Sequence, residues 1–422
     1  MRYPRLVAVA IGLVLLGVPI GVGMHHPGVL TSDANLAAST LGQHTYSSWK
    51  GAGGFDAGTH EGTSVVDGEL VMGSSIGTTS LGGRSWQTSR WTSAWATPAH
   101  TFTELVPSWN AATPTGTLIQ VRLRAKATSG AVSSFDTIAT WTLRDGEFER
   151  TSYDAQTDDF VNVNVDTLRA DSGQSLRAWQ MQVLLLRQPG KAGPRVTKVA
   201  GVASQLATSL PATSRPLYGA RTLDVPRLSQ MIHRGEYPAY GGGGEAWCSP
   251  TSTSMVMAYY GRRPPRSDYT WVDASYRDRY VDHAARRTFD FRYDGTGNWP
   301  FNTAYAAHYV DDAFVTRMAT LRDAERFVHA GIPVVASISF DRGQLSGAPI
   351  SATNGHLVVI VGFTAAGNVV VNDPAAPDNA TVRRTYDRGQ LERAWLRRSA
   401  GLAYVIHDAA HPLPARDGHT NW

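Results

Sequence analysis

Between about residue 45 and residue 200 the chain alternates apolar and polar positions with a period of two. In Ile119-Gln120-Val121-Arg122-Leu123-Arg124-Ala125 the odd positions are apolar, and Val161-Asn162-Val163-Asn164-Val165-Asp166 and Trp179-Gln180-Met181-Gln182-Val183 follow the same rule. That period belongs to a strand with one buried and one wet face. Gly-rich turns such as Gly53-Gly54 and Gly82-Gly83 separate these runs, Asp158-Asp159 reads as a further turn, and no helical period intervenes. The pattern predicts an antiparallel, jelly-roll-like β-sandwich over residues 46–200. Seven of the 12 tryptophans fall in it: Trp49, Trp86, Trp91, Trp95, Trp109, Trp141 and Trp179. On alternating strands such rings pack cores; an exposed subset would stack on sugar rings.

Residues 201–220 lose the alternation and gain Ser, Thr and Pro, the composition of a linker. From Arg221 helical and strand signals mix. Thr320-x-x-Asp323 opens a helix through Leu321, Ala324 and Val328, Gly331 stops it, and Val334–Ile338 follows as a strand. Asp387-x-x-Gln390 repeats the helix-start signal before Leu391, Ala394 and Trp395. An α+β domain is expected over residues 221–410, so the chain reads as multidomain. Asp311-Asp312 reads as a solvated helix face, and His407 and His411 as part of a tail-like segment.

Arg2 and Arg5 precede an apolar run from Leu6 to Met24, and His25-His26-Pro27 ends it. Residues 1–30 read as an export signal or an uncleaved N-terminal anchor. The protein is then expected to be secreted or associated with the cell envelope, touching membrane only through that segment. The net charge of +4 is almost all arginine and is scattered, which excludes nucleic acid as a partner. Cys248 is the single cysteine, so no intramolecular disulfide is possible in a compartment where disulfides form.

Cys248 stands at the start of a predicted helix that runs through Met255, Val256 and Tyr259 to a stop at Gly261. Unpaired N–H groups and the dipole at a helix N-terminus favour the thiolate, the nucleophilic form. Pro250 in the first turn costs nothing there. A cysteine nucleophile needs a base and a group that orients the base. His356 opens the apolar strand Leu357–Phe363, and a turn at Ala366-Gly367-Asn368 leads to Val369-Val370-Val371 and then Asn372-Asp373-Pro374. Antiparallel pairing of the two strands would return Asp373 beside His356. Gln230 lies 18 residues before Cys248; its amide and the Cys248 N–H would together form an oxyanion hole.

Residues 221 to about 408 resemble the papain-fold cysteine peptidases of the family thirty-nine type, whose best-known members trim double-glycine leaders from bacteriocins. The resemblance rests on Val225-Pro226 through Gln230, Trp247-Cys248-Ser249-Pro250-Thr251, Gly331-Ile332-Pro333-Val334-Val335, Gly355-His356-Leu357-Val358-Val359 and Asn372-Asp373-Pro374. It implies a papain-like domain with Cys248 as nucleophile, His356 as general base and acid, Asp373 as orienter and Gln230 as oxyanion donor. Two departures stand out: Ser249 where many relatives carry glycine, and a long Gln230–Cys248 segment containing His233, Glu236, Tyr240 and Gly241–Gly244. No Gly-Lys-Ser/Thr follows these glycines, so they read as a rim of the cleft and not a phosphate loop. No metal-ligand spacing or cofactor motif occurs, and neither a metal nor a cofactor is expected. The expected activity is hydrolysis of peptide or isopeptide bonds in a peptide or protein substrate. Its rivals are a cell-wall amidase or endopeptidase with a glycan-docking sandwich, and a non-catalytic surface-binding module.

Overall fold

The computed structural model describes residues 41–422. The Leu6–Met24 run, and with it the reading of residues 1–30 as signal or anchor, lies outside them. Among the described residues no helix is long and apolar enough to cross a membrane. The fold is mostly β, with three antiparallel seven-stranded sheets and few helices.

The first sheet runs in the order Val161–Asn164, Thr167–Ala170, Glu104–Ala112, Arg195–Gln205, Glu69–Met72, Thr63–Val66, with Gln43–Lys50 also pairing with Arg195–Gln205. The second runs Thr151–Ser152, Asp136–Trp141, Thr117–Ala127, Leu176–Arg187, Arg84–Thr92, Thr59–Glu61, with Gly77–Leu81 also on Arg84–Thr92. They face each other across an aromatic core in which the Trp49 ring meets Trp179 at 5.2 Å and Trp91 at 6.1 Å, edge to face. Six of the seven tryptophans are buried, so their rings are core packing. The seventh, Trp95, is half-buried beneath the Lys126 ammonium.

The local readings fail where tertiary packing outweighs pattern. Gly53-Gly54 is not a turn but part of a short helix, Gly51–Asp56, which drives fully buried Phe55 against Trp91. Gln180 and Gln182, assigned to a wet face, are buried: Arg124 lies across Gln180, donating to its Oε1, and the Gln180 amide donates to the Ser93 carbonyl. The alternation through Asp166 ends at Asn164, since Val165 turns the chain with a φ of 55°. The linker predicted from residue 201 starts five residues too early. Arg195–Gln205 stays in the first sheet, and Gly201 is packed so tightly that a Cβ there would meet the Trp179 ring at 2.7 Å.

The third sheet runs Asp312–Arg317, Leu402–His407, Val334–Phe340, Thr353–Phe363, Val369–Asn372, Arg383–Tyr386, with Arg221–Thr222 on Thr353–Phe363. The helix Cys248–Tyr259, with Met255 and Val256 buried, packs on the strand Thr353–Phe363, and Ser252 Oγ donates to the Leu357 carbonyl. Thr320 caps Leu321–His329 and Asp387 caps Arg388–Leu396.

The described residues, 41–422, belong to one compact unit. Phe301 inserts between Trp109 and Trp141, and Arg150 donates to the Thr142 and Leu143 carbonyls on one side and those of Arg286 and Phe289 on the other. Asp312 corrects the solvated-helix reading: it starts a strand, receives Lys198 Nζ at 2.7 Å and Asn110 Nδ2 at 2.9 Å, and so joins the first sheet to the third. His407 likewise ends a sheet strand, and the last residues fold back, with Trp422 buried on Phe327 and Tyr46 N–H donating to Thr420 O. Neither is a tail.

Candidate active site

Cys248 is the first residue of its helix, and Trp247 before it offers no side-chain cap. The first-turn N–H groups therefore remain free to favour an anion at the thiol. Ser249, the departure from glycine, is accounted for by a buried hydrogen bond between its Oγ and the Tyr404 hydroxyl, 2.9 Å, which pins this turn to the strand Leu402–His407. Cys248 itself is half-buried.

His356 sits on the strand Thr353–Phe363, which pairs with Val369–Asn372 through Val359↔Asn372 and so brings Asp373 back alongside. Its Nε2 stands 2.8 Å from Asp373 Oδ1. Both side chains are buried. Asp373 is held from three sides: the Ala375 N–H donates to Oδ1 at 3.0 Å, and the Tyr386 hydroxyl, absent from the sequence reading, donates to Oδ2 at 2.7 Å. With Nε2 on the carboxylate, Nδ1 is the ring nitrogen left for the thiol.

The electrostatics follow from burial working against these contacts. Desolvation pushes the His356 imidazole toward its neutral form, but the Asp373 charge and hydrogen bond, with the thiol contact, hold its pKa up to about 10. Burial raises the Cys248 thiol, and the hydrogen bond and charge of His356, then the Leu357 N–H, bring it below its usual value. Asp373 is pushed up by burial and drawn lower overall by His356 and Tyr386. The pair is thus biased toward thiolate and imidazolium.

Gln230 is brought to the same neighbourhood without being aimed at the thiol. Its backbone N–H donates to the Pro374 carbonyl, 2.8 Å, beside Asp373, while its side-chain Nε2 donates to the Glu245 carbonyl at 2.6 Å. Three successive glycines, Gly241, Gly242 and Gly243, have φ of 74°, 99° and 103°, and Gly244 lies so close to His233 that a Cβ would meet its carbonyl carbon at 2.4 Å. Only glycine lets this loop double back between Gln230 and Cys248.

The thiol opens into a cleft of about 600 Å³. It is lined by Tyr293 and Trp299, by Ser339, and by the sandwich hairpin through Asn164, Asp166 and Arg169. Asp166 Oδ2 accepts the Trp299 N–H at 3.0 Å, so a sandwich carboxylate caps the helix Trp299–Ala307 of the other half. Burial, opposed by that hydrogen bond, raises its pKa to about 6. Nothing in the local pattern of Val161–Asp166 signals this placement, since it depends on how two distant segments dock.

Residues 45–204 match the family model described as the peptidase C39 N-terminal domain, and residues 222–402 match that of the peptidase C39-like family. The chain carries a peptidase C39-like domain. Cys248, His356 and Asp373 all fall within this C39-like domain. No curated protein matches the chain. Among solved structures, a prointerpain A fragment from Prevotella intermedia is 16% identical, with 46% of this chain and 76% of that one covered and a TM-score of 0.27. A structure described as giving the basis for promiscuous specificity of carbohydrate-binding modules of the β-sandwich superfamily is 14% identical, with 40% and 59% covered and a TM-score of 0.17.

Proposed function

We propose that this protein is an exported cysteine-type peptidase that hydrolyses peptide or isopeptide bonds through a thioacyl-enzyme on Cys248. The observation that carries the reading is the contact chain Asp373–His356–Cys248, buried at its carboxylate end and open to a cleft at its sulfur. A nucleophile helix packed on an antiparallel sheet that bears the base also supports a papain-like reading of the C39-like domain.

In this mechanism the Cys248 thiolate attacks the scissile carbonyl, forming the C–S bond as the π pair moves onto oxygen. His356 gives its Nδ1 proton to the departing amine as the C–N bond breaks. Water then attacks the thioester, His356 accepts its proton, and the C–S bond breaks to return the thiolate and release the acid. Asp373 holds the imidazole by Nε2 throughout. The oxyanion donor in this mechanism is the Cys248 N–H; the Gln230 amide, turned to the Glu245 carbonyl, joins it only on reorientation. Export rests on Arg2, Arg5 and the Leu6–Met24 run.

The test is the pH dependence of Cys248 alkylation by iodoacetamide in the purified protein. Labelling is expected to stay fast well below the ordinary thiol pKa of ~8.5 and to fall to ordinary-thiol behaviour in His356→Ala. Slow labelling that follows a simple thiol in both proteins would sink the reading and favour a binding module. Cys248→Ala should fold normally and cleave nothing.

A further inference from the structure

Apart from the Cys248 site, one cluster of ligating side chains stands out: His233, at the end of the short 3-10 turn that starts at Gln230; Glu236, three residues on; and Asp282, on the helix Tyr280–Thr288. His233 Nδ1 lies 2.7 Å from Glu236 Oε2 and 3.3 Å from Asp282 Oδ2. His233 and Asp282 are fully buried, and Glu236 closes the outer edge with its side chain 11% exposed. Neither oxygen of Asp282 receives a hydrogen bond. A buried carboxylate without a donor is costly, and buried polar groups almost always have a partner.

Charge makes the same point. Among the described residues the salt bridges of Glu236 and Asp282 are to His233 alone, and no lysine or arginine reaches them. With an imidazolium the group still carries one net negative charge, which it would shed only by protonating an acid. A divalent cation with neutral imidazole brings the sum to zero and gives a direct ligand bond to Asp282, whose one charge contact is His233 at 3.3 Å.

From these contacts we infer that His233, Glu236 and Asp282 form a structural site for a divalent transition-metal ion. One imidazole nitrogen and two carboxylate oxygens are ligands of the kind that zinc accepts, at about 2.0–2.2 Å each, with a fourth position left for water. The three ligand atoms lie within 4.8 Å of one another, close enough to share one ion of that size. The site ties the helix Tyr280–Thr288 to the Gln230–His233 turn, and through Gly244, packed on the His233 carbonyl, to the segment that leads to Cys248. It stands independently of the cysteine-peptidase reading. His233 and Glu236 lie in a Gly-rich stretch with no ligand spacing, and Asp282 is 46 residues beyond Glu236, which is why no motif reveals it.

The test uses the full chain, stripped with dipicolinate and dialysed against zinc chloride. Elemental analysis should find about one tightly held zinc per chain, with thermal unfolding shifted several degrees upward. Asp282→Asn should lose the zinc and the shift. Should that variant not fold, Glu236→Gln at the outer edge decides, with affinity expected to fall about 10- to 100-fold. A wild-type chain that takes up no zinc, or variants that retain it, would overturn the site and leave a proton-sharing carboxylate cluster in its place.

Discussion

Asp373 acts at the residue scale through His356. Its charge is the main force opposing desolvation of the imidazole, and the imidazolium in turn holds the thiol down. Asp373→Asn keeps the shape, removes the charge and reverses the hydrogen-bonding choice at Nε2. The His356 pKa should fall, and although loss of the carboxylate also removes a small upward push on Cys248, loss of the imidazolium is the larger effect. The alkylation profile is therefore expected to move up toward an ordinary thiol, and peptide cleavage to drop about 10²- to 10⁴-fold. An unchanged profile would remove Asp373 from the mechanism. Asp136 gives a stability counterpart in the sandwich. Burial first, then Asp159 and Asp158, raise its pKa to about 7. The folded state thus holds the proton more tightly than the unfolded chain, where the carboxyl titrates near ~3.9, and stability declines as pH rises from about 4 to about 7. Asp136→Asn should flatten that decline, with the higher unfolding midpoint at pH 8 than the parent in thermal melts at pH 4.5 and 8.

Among the elements, the hairpin Val161–Ala170 shows both what the pattern reveals and where it misleads. Val161 and Val163 point inward as alternation demands, but Val165, the next apolar position, turns the chain in left-handed backbone space that a β-branched residue resists. Such strain costs about 1–3 kcal/mol and persists where surrounding contacts enforce it; here Asp166 is fastened to the Trp299 N–H. Val165→Gly should raise stability by about 1 kcal/mol in denaturant unfolding. A loss of stability would mean that the Val165 side chain contributes more packing than its backbone costs. The same contrast explains what was legible at the site. Cys248, His356 and Asp373 announce themselves because a helix start and one hairpin carry them, and short-range register brings the last two together. Gln230 is less legible, since its amide direction depends on the Gly241–Gly244 loop. Asp166 and Asp312 are unreadable or misread because their partners, Trp299 and Lys198, come from distant parts of the fold, and Tyr386 because it reaches Asp373 from the neighbouring strand Arg383–Tyr386.

For the molecule as a whole, the docking of the sandwich decides the shape of the cleft. A sandwich that merely anchored the catalytic half would be joined by a loose linker, but the segment after Gln205 is fastened down, with the Ser214 N–H on Glu392 and the Leu217 N–H on Glu325. Lys198–Asp312, Arg317–Glu104 and Arg286–Asp145 cross the boundary, and exposed Asn164 lines the cleft. If the proposed activity holds, this geometry makes the sandwich part of the substrate-binding surface. Asn164→Trp tests it at a position where an added ring meets solvent and cleft, not core, so folding should be preserved. Iodoacetamide is small enough to pass the ring, and alkylation of Cys248 should proceed at the parental rate. A peptide must lie along the wall, and its kcat/KM should fall by tenfold or more, about 1.4 kcal/mol, mostly through KM. Equal losses in both assays would point to a disturbed thiol site. Parental values in both would free the wall of any role in binding and return the sandwich to the part of a spacer.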